Sequence, residues 1–315
     1  MTELINIKSQ LKNLLNNGTV LDVLLEDKTT KQNIIWATDA YADLGDGFDK
    51  HGHINPPLVT GRYENLIQPR VMKALYIQGQ RTKANAEVFT PAWICNKMNN
   101  YADEQWFGHK VVFNREKDQS WKPTTEPIDF PTGKTWQDYV NTTRLEITCG
   151  EAPFLVSRYD AVTGEILPVY QRIGMLDRKL RVVNENTENY DDWMEWAAKA
   201  YQSVYGYEWQ GDNLLIARIN LLSTFEDNMW YKWHKTPSIT ELKKIANIIS
   251  WNLWQMDGLK GTVPTYEADK LKQLDLFGDD PVEQEHICKV CKIYDWASNK
   301  SIEYNSLKYA QGTAE

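Results

Sequence analysis

The order of apolar segments after residue 144 restricts the fold more than any other feature of the sequence. Three short strand-like segments lie at residues 144–148, 204–208 and 251–256, and segments of helical length separate the last two. Strands that are joined through a long helical connection pair in parallel, whereas a tight turn would join an antiparallel pair. The second half of the chain therefore predicts an α/β fold built on a parallel sheet with crossover helices.

Two capping boxes and one aspartate predict where the helices of this region begin. Asp192 is followed three residues later by Glu195, and Ser238 by Glu241. In this arrangement the two side chains satisfy backbone N–H groups that have no partner at the start of a helix. Asp212 precedes a third apolar segment with helical spacing.

Residues 1–85 predict an N-terminal α/β extension. Residues 4–15 place Leu and Ile side chains on one face of an amphipathic helix. The apolar segments at 20–25 and 33–38 predict two strands around a turn. A loop rich in Gly, His, Asn and Pro follows at 43–60.

The rest of the chain predicts a main domain at 86–264 and a smaller unit at 265–315. The main domain contains the predicted sheet, with irregular insertions at 108–142 and 160–190. Residues 265–285 are acidic and predict a linker that precedes a small C-terminal appendix.

No segment suggests a membrane or a secretory route. The start of the chain lacks a basic region followed by an uninterrupted apolar run. No segment approaches the roughly 18 consecutive apolar residues that cross a bilayer. We therefore expect a soluble, cytoplasmic protein without a membrane partner.

The cysteines predict neither a disulfide framework nor a metal site. There are only four of them, which is typical of a reducing compartment. His286, Cys288 and Cys291 have a metal-like spacing, but a structural zinc site usually has four ligands and no second pair follows. We expect no metal, and we expect both of these cysteines to pack the C-terminal unit.

The charge of the chain limits how it can contact nucleic acid. The formal net charge is −8, so any DNA contact must come from a local basic patch. Residues 62–100 form the most basic sizeable stretch, although a solvated helix face is the alternative interpretation. Its basic residues are Arg62, Arg70, Lys73, Arg81, Lys83 and Lys97. A second basic stretch runs from Arg172 to Arg181.

Acidic residues stand at the ends of all three predicted strands. After Glu146, a tight turn with Gly150 would let the backbone approach an adenosyl cofactor, although an ordinary strand-to-helix turn is the alternative. Glu208 ends the next strand, where a carboxylate can accept hydrogen bonds from both ribose hydroxyls. Asp257 ends the third strand, where it could bind an adenine amino group or serve as a turn residue before Gly258.

Three segments resemble the adenine-N6 DNA methyltransferases, which include the modification subunits of restriction-modification systems. Residues 86–91 (Ala-Glu-Val-Phe-Thr-Pro) are similar to the motif that opens their catalytic domain. Residues 146–155 (Glu-Ile-Thr-Cys-Gly-Glu-Ala-Pro-Phe-Leu) are similar to their cofactor loop, with Glu146 for Asp and Ala152 for the second Gly. Residues 205–222 are similar to their segment that joins an acidic strand end to a helix.

This resemblance implies a Rossmann-like methyltransferase sheet, with insertions and the N-terminal α/β extension, that binds S-adenosylmethionine (SAM). It implies that Phe89, Thr90 and Pro91 line the SAM site. It also implies that Cys149, Gly150 and Glu151 cradle the methionine and that Glu208 holds the ribose.

The sequence departs from the family at the target base. Adenine methyltransferases carry an Asn/Asp-Pro-Pro-Tyr/Phe motif shortly after the strand that corresponds to 251–257, and residues 258–315 contain no such motif. In a circularly permuted order, Asn55, which precedes Pro56 and Pro57, would accept the target amine. Asp39 and Tyr41 could take that role instead, or Asn55 could simply belong to a loop.

Two functions remain open at this stage. The first is a SAM-dependent adenine-N6 DNA methyltransferase of a restriction-modification or phage-defence system, which could act with a partner subunit. The second is a catalytically inactive SAM-binding partner or inhibitor protein in the same context. An enzyme would transfer labelled methyl groups to DNA, whereas an inactive protein would bind SAM without turnover.

Overall fold

The computed structural model describes residues 4–16, 19–73, 90–264 and 289–307. The helices of these ranges are α1 (Ile7–Asn16), α2 (Val20–Leu25), α3 (Ala92–Phe107), α4 (Trp136–Asn141), α5 (Met175–Asn186), α6 (Tyr190–Gln202), α7 (Gly211–Trp233) and α8 (Ile239–Asn252). The strands are β1 (Asn114–Lys117), β2 (Ser120–Pro123), β3 (Arg144–Glu146), β4 (Val204–Glu208), β5 (Leu253–Gln255), β6 (Lys292–Asp295) and β7 (Lys300–Glu303).

The three strands of the second half form a parallel sheet in the order β3-β4-β5. Glu146 pairs in register with Gly206, and Glu208 pairs in register with Gln255. Helices α5 and α6 connect β3 to β4, and α7 and α8 connect β4 to β5. The mixed α/β class and the parallel pairing are thus confirmed. The other two sheets, β1-β2 and β6-β7, are antiparallel hairpins.

Helix α7 lies at the centre of the molecule and is buried on all sides over most of its length. Every residue from Gly211 to Phe225 is buried, including Arg218 and Asn220. Polar side chains in such a helix must find hydrogen-bond partners inside the protein. Arg218 and the Asn220 Nδ2 donate such bonds, and their acceptors belong to distant parts of the chain.

One apolar core joins the N-terminal region to the sheet. It contains Ile5 and Trp36 as well as Leu253 of β5. A smaller cluster on the outer face of β4 and β5 includes Tyr207, Trp254 and Cys291. Hairpin β6-β7 therefore packs on the sheet through its cysteine-bearing start.

Residues 20–25 form helix α2, so the prediction of a strand there was wrong. Val20, Leu21, Leu24 and Leu25 are buried, whereas Asp22 is exposed. This spacing follows the helical period and not the alternation of a strand. Residues 33–38 also lie outside the named strands, although Ile35 forms an isolated bridge with His53.

The stretch at 160–190 is less irregular than its sequence predicts, because α5 occupies its second half. Leu176, Leu180 and Val183 recur at helical spacing and are buried. The insertion at 108–142 contains hairpin β1-β2 and helix α4.

Two predicted element boundaries were shifted. Helix α6 begins at Tyr190, because the Asn189 side chain accepts the hydrogen bond from Asp192 N that caps this end. Helix α8 extends to Asn252, so the last strand of the sheet is limited to Leu253–Gln255. The capping box of Ser238 and Glu241 is present as predicted. Within the four described ranges, none of the helices combines the length and apolar character of a membrane span.

Candidate functional site at the carboxyl edge of the sheet

The turn after β3 adopts a backbone that few side chains tolerate. Thr148, Gly150 and Ala152 all have positive φ angles, of 46°, 54° and 65°. Such left-handed residues are costly unless the surrounding structure holds them. The Cys149 N–H donates to Tyr207 O at 2.8 Å, which fixes the turn against β4.

Glu208 lies directly beside this turn. Its Oε2 accepts the Gly150 N–H at 2.9 Å, and its Oε1 accepts the Gln210 N–H at 3.1 Å. The carboxylate is buried, and this burial raises the pKa of Glu208 despite the opposing effect of the two N–H donors. The structure therefore brings together the acid and the glycine that the sequence predicts for one cofactor site.

Glu146 has an internal role. Its Oε1 and Oε2 accept the N–H groups of Phe154 and Leu155, which close the far end of the same turn. Burial raises the pKa of Glu146 to about 8, and these two donors oppose that rise. The side chain braces the loop, because both of these hydrogen bonds hold backbone groups of that loop.

Cys149 and Ala152 are both buried in the core. The Cys149 side chain packs toward Gly206, since a Cβ added to that glycine would meet Cys149 Sγ at 3.2 Å. Burial raises the pKa of the Cys149 thiol well above its usual value. Cys149 can therefore cradle a ligand only through its backbone.

Glu151 belongs to a buried hydrogen-bond network behind the turn. Its Oε1 accepts the Arg70 N–H at 2.6 Å, and its Oε2 accepts the Tyr159 hydroxyl. The Asn220 side chain of α7 donates to Glu151 O at 3.1 Å and to the Tyr159 hydroxyl oxygen at 3.2 Å. The network ties the turn to α7 and to the segment at residue 70.

Thr90 and Pro91 stand at the start of α3, while Phe89 lies outside the described residues. Pro91 O accepts the N–H groups of Ile94 and Cys95 in the first turn. Farther along α3, the Asn99 amide donates to Phe154 O at 3.1 Å. Helix α3 is thus attached to the loop that follows β3, and this attachment links the family-like segment at residues 86–91 to the same loop.

Asp257 follows β5 and belongs to a turn. Its Oδ1 accepts the N–H groups of Leu259 and Lys260 at 2.9 and 3.1 Å. This geometry agrees with the turn interpretation of its sequence context. No described contact joins its side chain to Glu208.

The three candidates for the target-base site have different environments. The Tyr41 hydroxyl donates to Asp212 Oδ2 at 2.6 Å, near the start of α7. Asn55 is exposed, and its Oδ1 accepts from Asn33 Nδ2 at 2.8 Å. Asp39 is also exposed, and its Oδ1 accepts the Lys50 N–H. By these contacts, only Tyr41 is linked to a residue close to Glu208 in the chain.

Two residues at this edge were missed at the sequence level. Trp209 directly follows Glu208 and is 41% exposed, and its indole N–H donates to Ala37 O at 3.1 Å. Asp212 is buried and accepts from Tyr41 as well as from Lys73, whose Nζ lies 3.5 Å away. An aromatic residue directly after a strand-end acid was the available signal for the first.

The basic stretches do not form simple exposed patches. Lys73 is buried, whereas Arg62 and Lys97 are exposed, and residues 74–89, which include Arg81 and Lys83, lie outside the described ranges. In the second stretch, Arg178 and Lys179 are buried, and Arg178 forms an ion pair with Asp103 at 2.5 Å. The basic stretch from Arg172 to Arg181 therefore supplies little exposed positive charge, because Arg178 and Lys179 have internal partners.

The described residues contain no group of three or more potential metal ligands. His286 and Cys288 lie outside those ranges. Cys291 is buried, and its thiol lies 3.5 Å from Gln255 O. It packs hairpin β6-β7 against the sheet, as expected.

Comparisons of the chain with family models, with curated proteins and with solved structures find no match.

Proposed function

We propose that this chain is a SAM-dependent methyltransferase-like protein of the adenine-N6 DNA type, in a restriction-modification or phage-defence context. The hydrogen bond of 2.9 Å between the Gly150 N–H and Glu208 is the main support. It joins a left-handed turn and an acid at neighbouring parallel strand ends, where nucleotide cofactors bind in open α/β sheets. On this proposal the sheet β3-β4-β5 is the Rossmann-like part of the fold.

The chemistry of Glu208 fits the ribose of SAM. The carboxylate oxygens accept the Gly150 and Gln210 N–H groups, and a ribose hydroxyl could use a lone pair that remains. The exposed indole of Trp209 offers a face on which an adenine ring could stack. When bound, SAM would supply the methyl group. Adenine N6 would form a bond to the methyl carbon as the bond between that carbon and the SAM sulfur breaks.

A binding titration tests the cofactor assignment. Glu208→Ala and Gly150→Asp should each weaken SAM binding at least about tenfold, or about 1.4 kcal/mol. The first removes the ribose acceptor, and the second places a charged side chain at a left-handed position. Calorimetry on the full chain measures both, with the exposed Glu188→Ala as control. Wild-type affinity in both site variants would refute the assignment.

The target-base site on this proposal lies in the N-terminal region. Tyr41→Phe keeps the ring that packs 4.9 Å from Trp36 but removes the hydroxyl bonded to Asp212. Asn55→Ala and Asp39→Ala remove the other candidate acceptors. At least one of the three variants should lose methyl incorporation into mixed genomic DNA while its SAM affinity stays within about twofold. An active protein whose three variants are all fully active would place the target-base site elsewhere.

The second candidate is an inactive SAM-binding partner or inhibitor, and the contacts of Asn55 and Asp39 favour it. Both side chains hold local loop groups, the Asn33 amide and the Lys50 N–H. If wild-type protein binds SAM but incorporates no methyl groups, even with a partner subunit present, this function replaces the first.

A further inference from the structure

The structure contains a cleft outside the residues of the candidate SAM site. It has a volume of about 830 Å³ and is bounded by hairpin β1-β2, the turn at Val169–Gln171, and helices α5 and α7. None of its lining residues belongs to the candidate SAM site. It therefore requires an explanation of its own.

Aromatic rings are exposed along this cleft. Tyr170 and Tyr231 line it and are 55% and 50% exposed. Trp121 lines it as well, and its indole N–H donates to Gln171 O at 2.8 Å, which holds the ring in place. Fixed aromatic rings at the wall of an open cleft are suited to stacking on flat ligands.

The β1-β2 hairpin beside the cleft carries three cations on one face, and one of them, Lys122, lines the cleft. Arg115 pairs in register with Lys122, and Lys117 pairs with Ser120, so these three cations share the hairpin face opposite to Trp121. Like charges directly opposite each other destabilise a hairpin. Among the described residues, none of these three cations forms an ion pair, and all three are exposed. Negative charge from a ligand would relieve this repulsion.

The cleft also contains buried polar atoms without partners. Arg172 is 4% exposed, and its Nη2 donates to Asp227 at 2.6 Å, yet its Nη1 has no acceptor in the described structure. Asp177 lines the same cleft, and its buried Oδ1 has no donor there. A donor and an acceptor on one cleft match the hydrogen-bonding edge of a nucleobase, which carries both.

We propose that this cleft binds single-stranded nucleic acid, with a base against Tyr170 and Tyr231 and with a phosphate on Lys122, the one of the three hairpin cations that lines the cleft. Arg172 and Asp177 contact the edge of the inserted base. An acidic peptide would use the cations but would gain nothing from the exposed rings, so nucleic acid is favoured. The proposal goes beyond the SAM site and does not depend on it.

Fluorescence anisotropy on the full chain tests the proposal. The probes are a labelled mixed-sequence DNA strand of about 12 nucleotides, the same sequence as RNA, its DNA duplex, and a poly-glutamate peptide. At least one single strand should bind more tightly than the duplex and the peptide. Tyr170→Ala and Tyr231→Ala should each weaken strand binding about tenfold. Lys122→Glu should lower the slope of log K against log salt by roughly one unit.

The control variants are Tyr101→Ala, which changes a tyrosine 66% exposed on α3, and Lys110→Glu, another exposed position. Neither residue lines the cleft. Both control variants should bind the strand as the wild type does. Equal binding of duplex or peptide, no binding of any strand, or cleft variants that match the controls would overturn the proposal. SAM titration of the cleft variants separates this outcome from a failure of the SAM assignment, because their SAM affinity should not change.

Discussion

Two glutamates end neighbouring strands of one sheet, yet their surroundings give them different roles. Glu208 lies beside the left-handed Gly150 and is followed by the exposed Trp209. Glu146 is turned into the loop and is held by the Phe154 and Leu155 N–H groups. A strand-end acid is therefore a candidate ligand group only where its free lone pairs face a possible ligand.

The raised pKa of Glu146 predicts a pH-dependent stability. Its pKa is about 8 in the folded protein, whereas the ordinary pKa of a glutamate is 4.5. Folding thus favours the protonated form, and its contribution to the free energy of unfolding declines as the pH rises from 4.5 to about 8. Between about pH 5 and about pH 9, the free energy of unfolding of Glu146→Gln should rise by about 2 kcal/mol or more relative to that of the wild type. Urea unfolding at both pH values measures this change.

The exposed Glu188→Gln serves as the control for that experiment. Its stability relative to wild type should stay the same at both pH values. A constant difference between Glu146→Gln and wild type would show that Glu146 keeps one protonation state throughout this range.

At the scale of elements, α7 organises the ends of two other helices. Arg218 donates to Leu24 O and Glu26 O at the end of α2 and to Ser250 O and Leu253 O at the end of α8. The last carbonyl groups of a helix have no partners within it and carry partial negative charge. One buried cation therefore caps two helices at once.

Replacing this cap should be costly. Arg218→Met fills similar space but leaves several buried carbonyl groups without donors, so it should lower the free energy of unfolding by about 3 kcal/mol or more. Lys199→Met removes an exposed pair with Glu195 and should cost no more than about 0.5 kcal/mol. Denaturant titration compares the two variants. Similar small losses in both would mean that water satisfies the carbonyl groups in place of Arg218.

At the scale of the whole molecule, the described N-terminal region is part of the main fold. The Ile35 N–H donates to the Gln255 side chain, and the Ile5 N–H donates to Gly164 O, both at 3.0 Å. Ile5 and Trp36 belong to the same apolar core as Leu253. Removal of this region would expose one side of the core.

A chain that lacks residues 1–73 should therefore fail to fold, and circular dichroism together with tryptophan fluorescence should show no cooperative thermal transition. The control lacks residues 308–315, and it should unfold as the full chain does. A cooperative transition in the shorter chain would mean that residues 86–264 fold independently.

The sequence by itself determined the parallel sheet, the start of α8 at Ser238 and the acids at the strand ends. These features depend on local periodicity, capping and the direction of the chain, which a linear pattern records. The tertiary structure decided that residues 20–25 are helical, that Arg178 and Lys179 are internal, and that Tyr41 contacts Asp212. Each of these outcomes depends on partners far along the chain, as for Arg218 and Leu24, which are 194 residues apart. Burial against such partners sets the environment of a side chain, and no local pattern encodes which partners it will find.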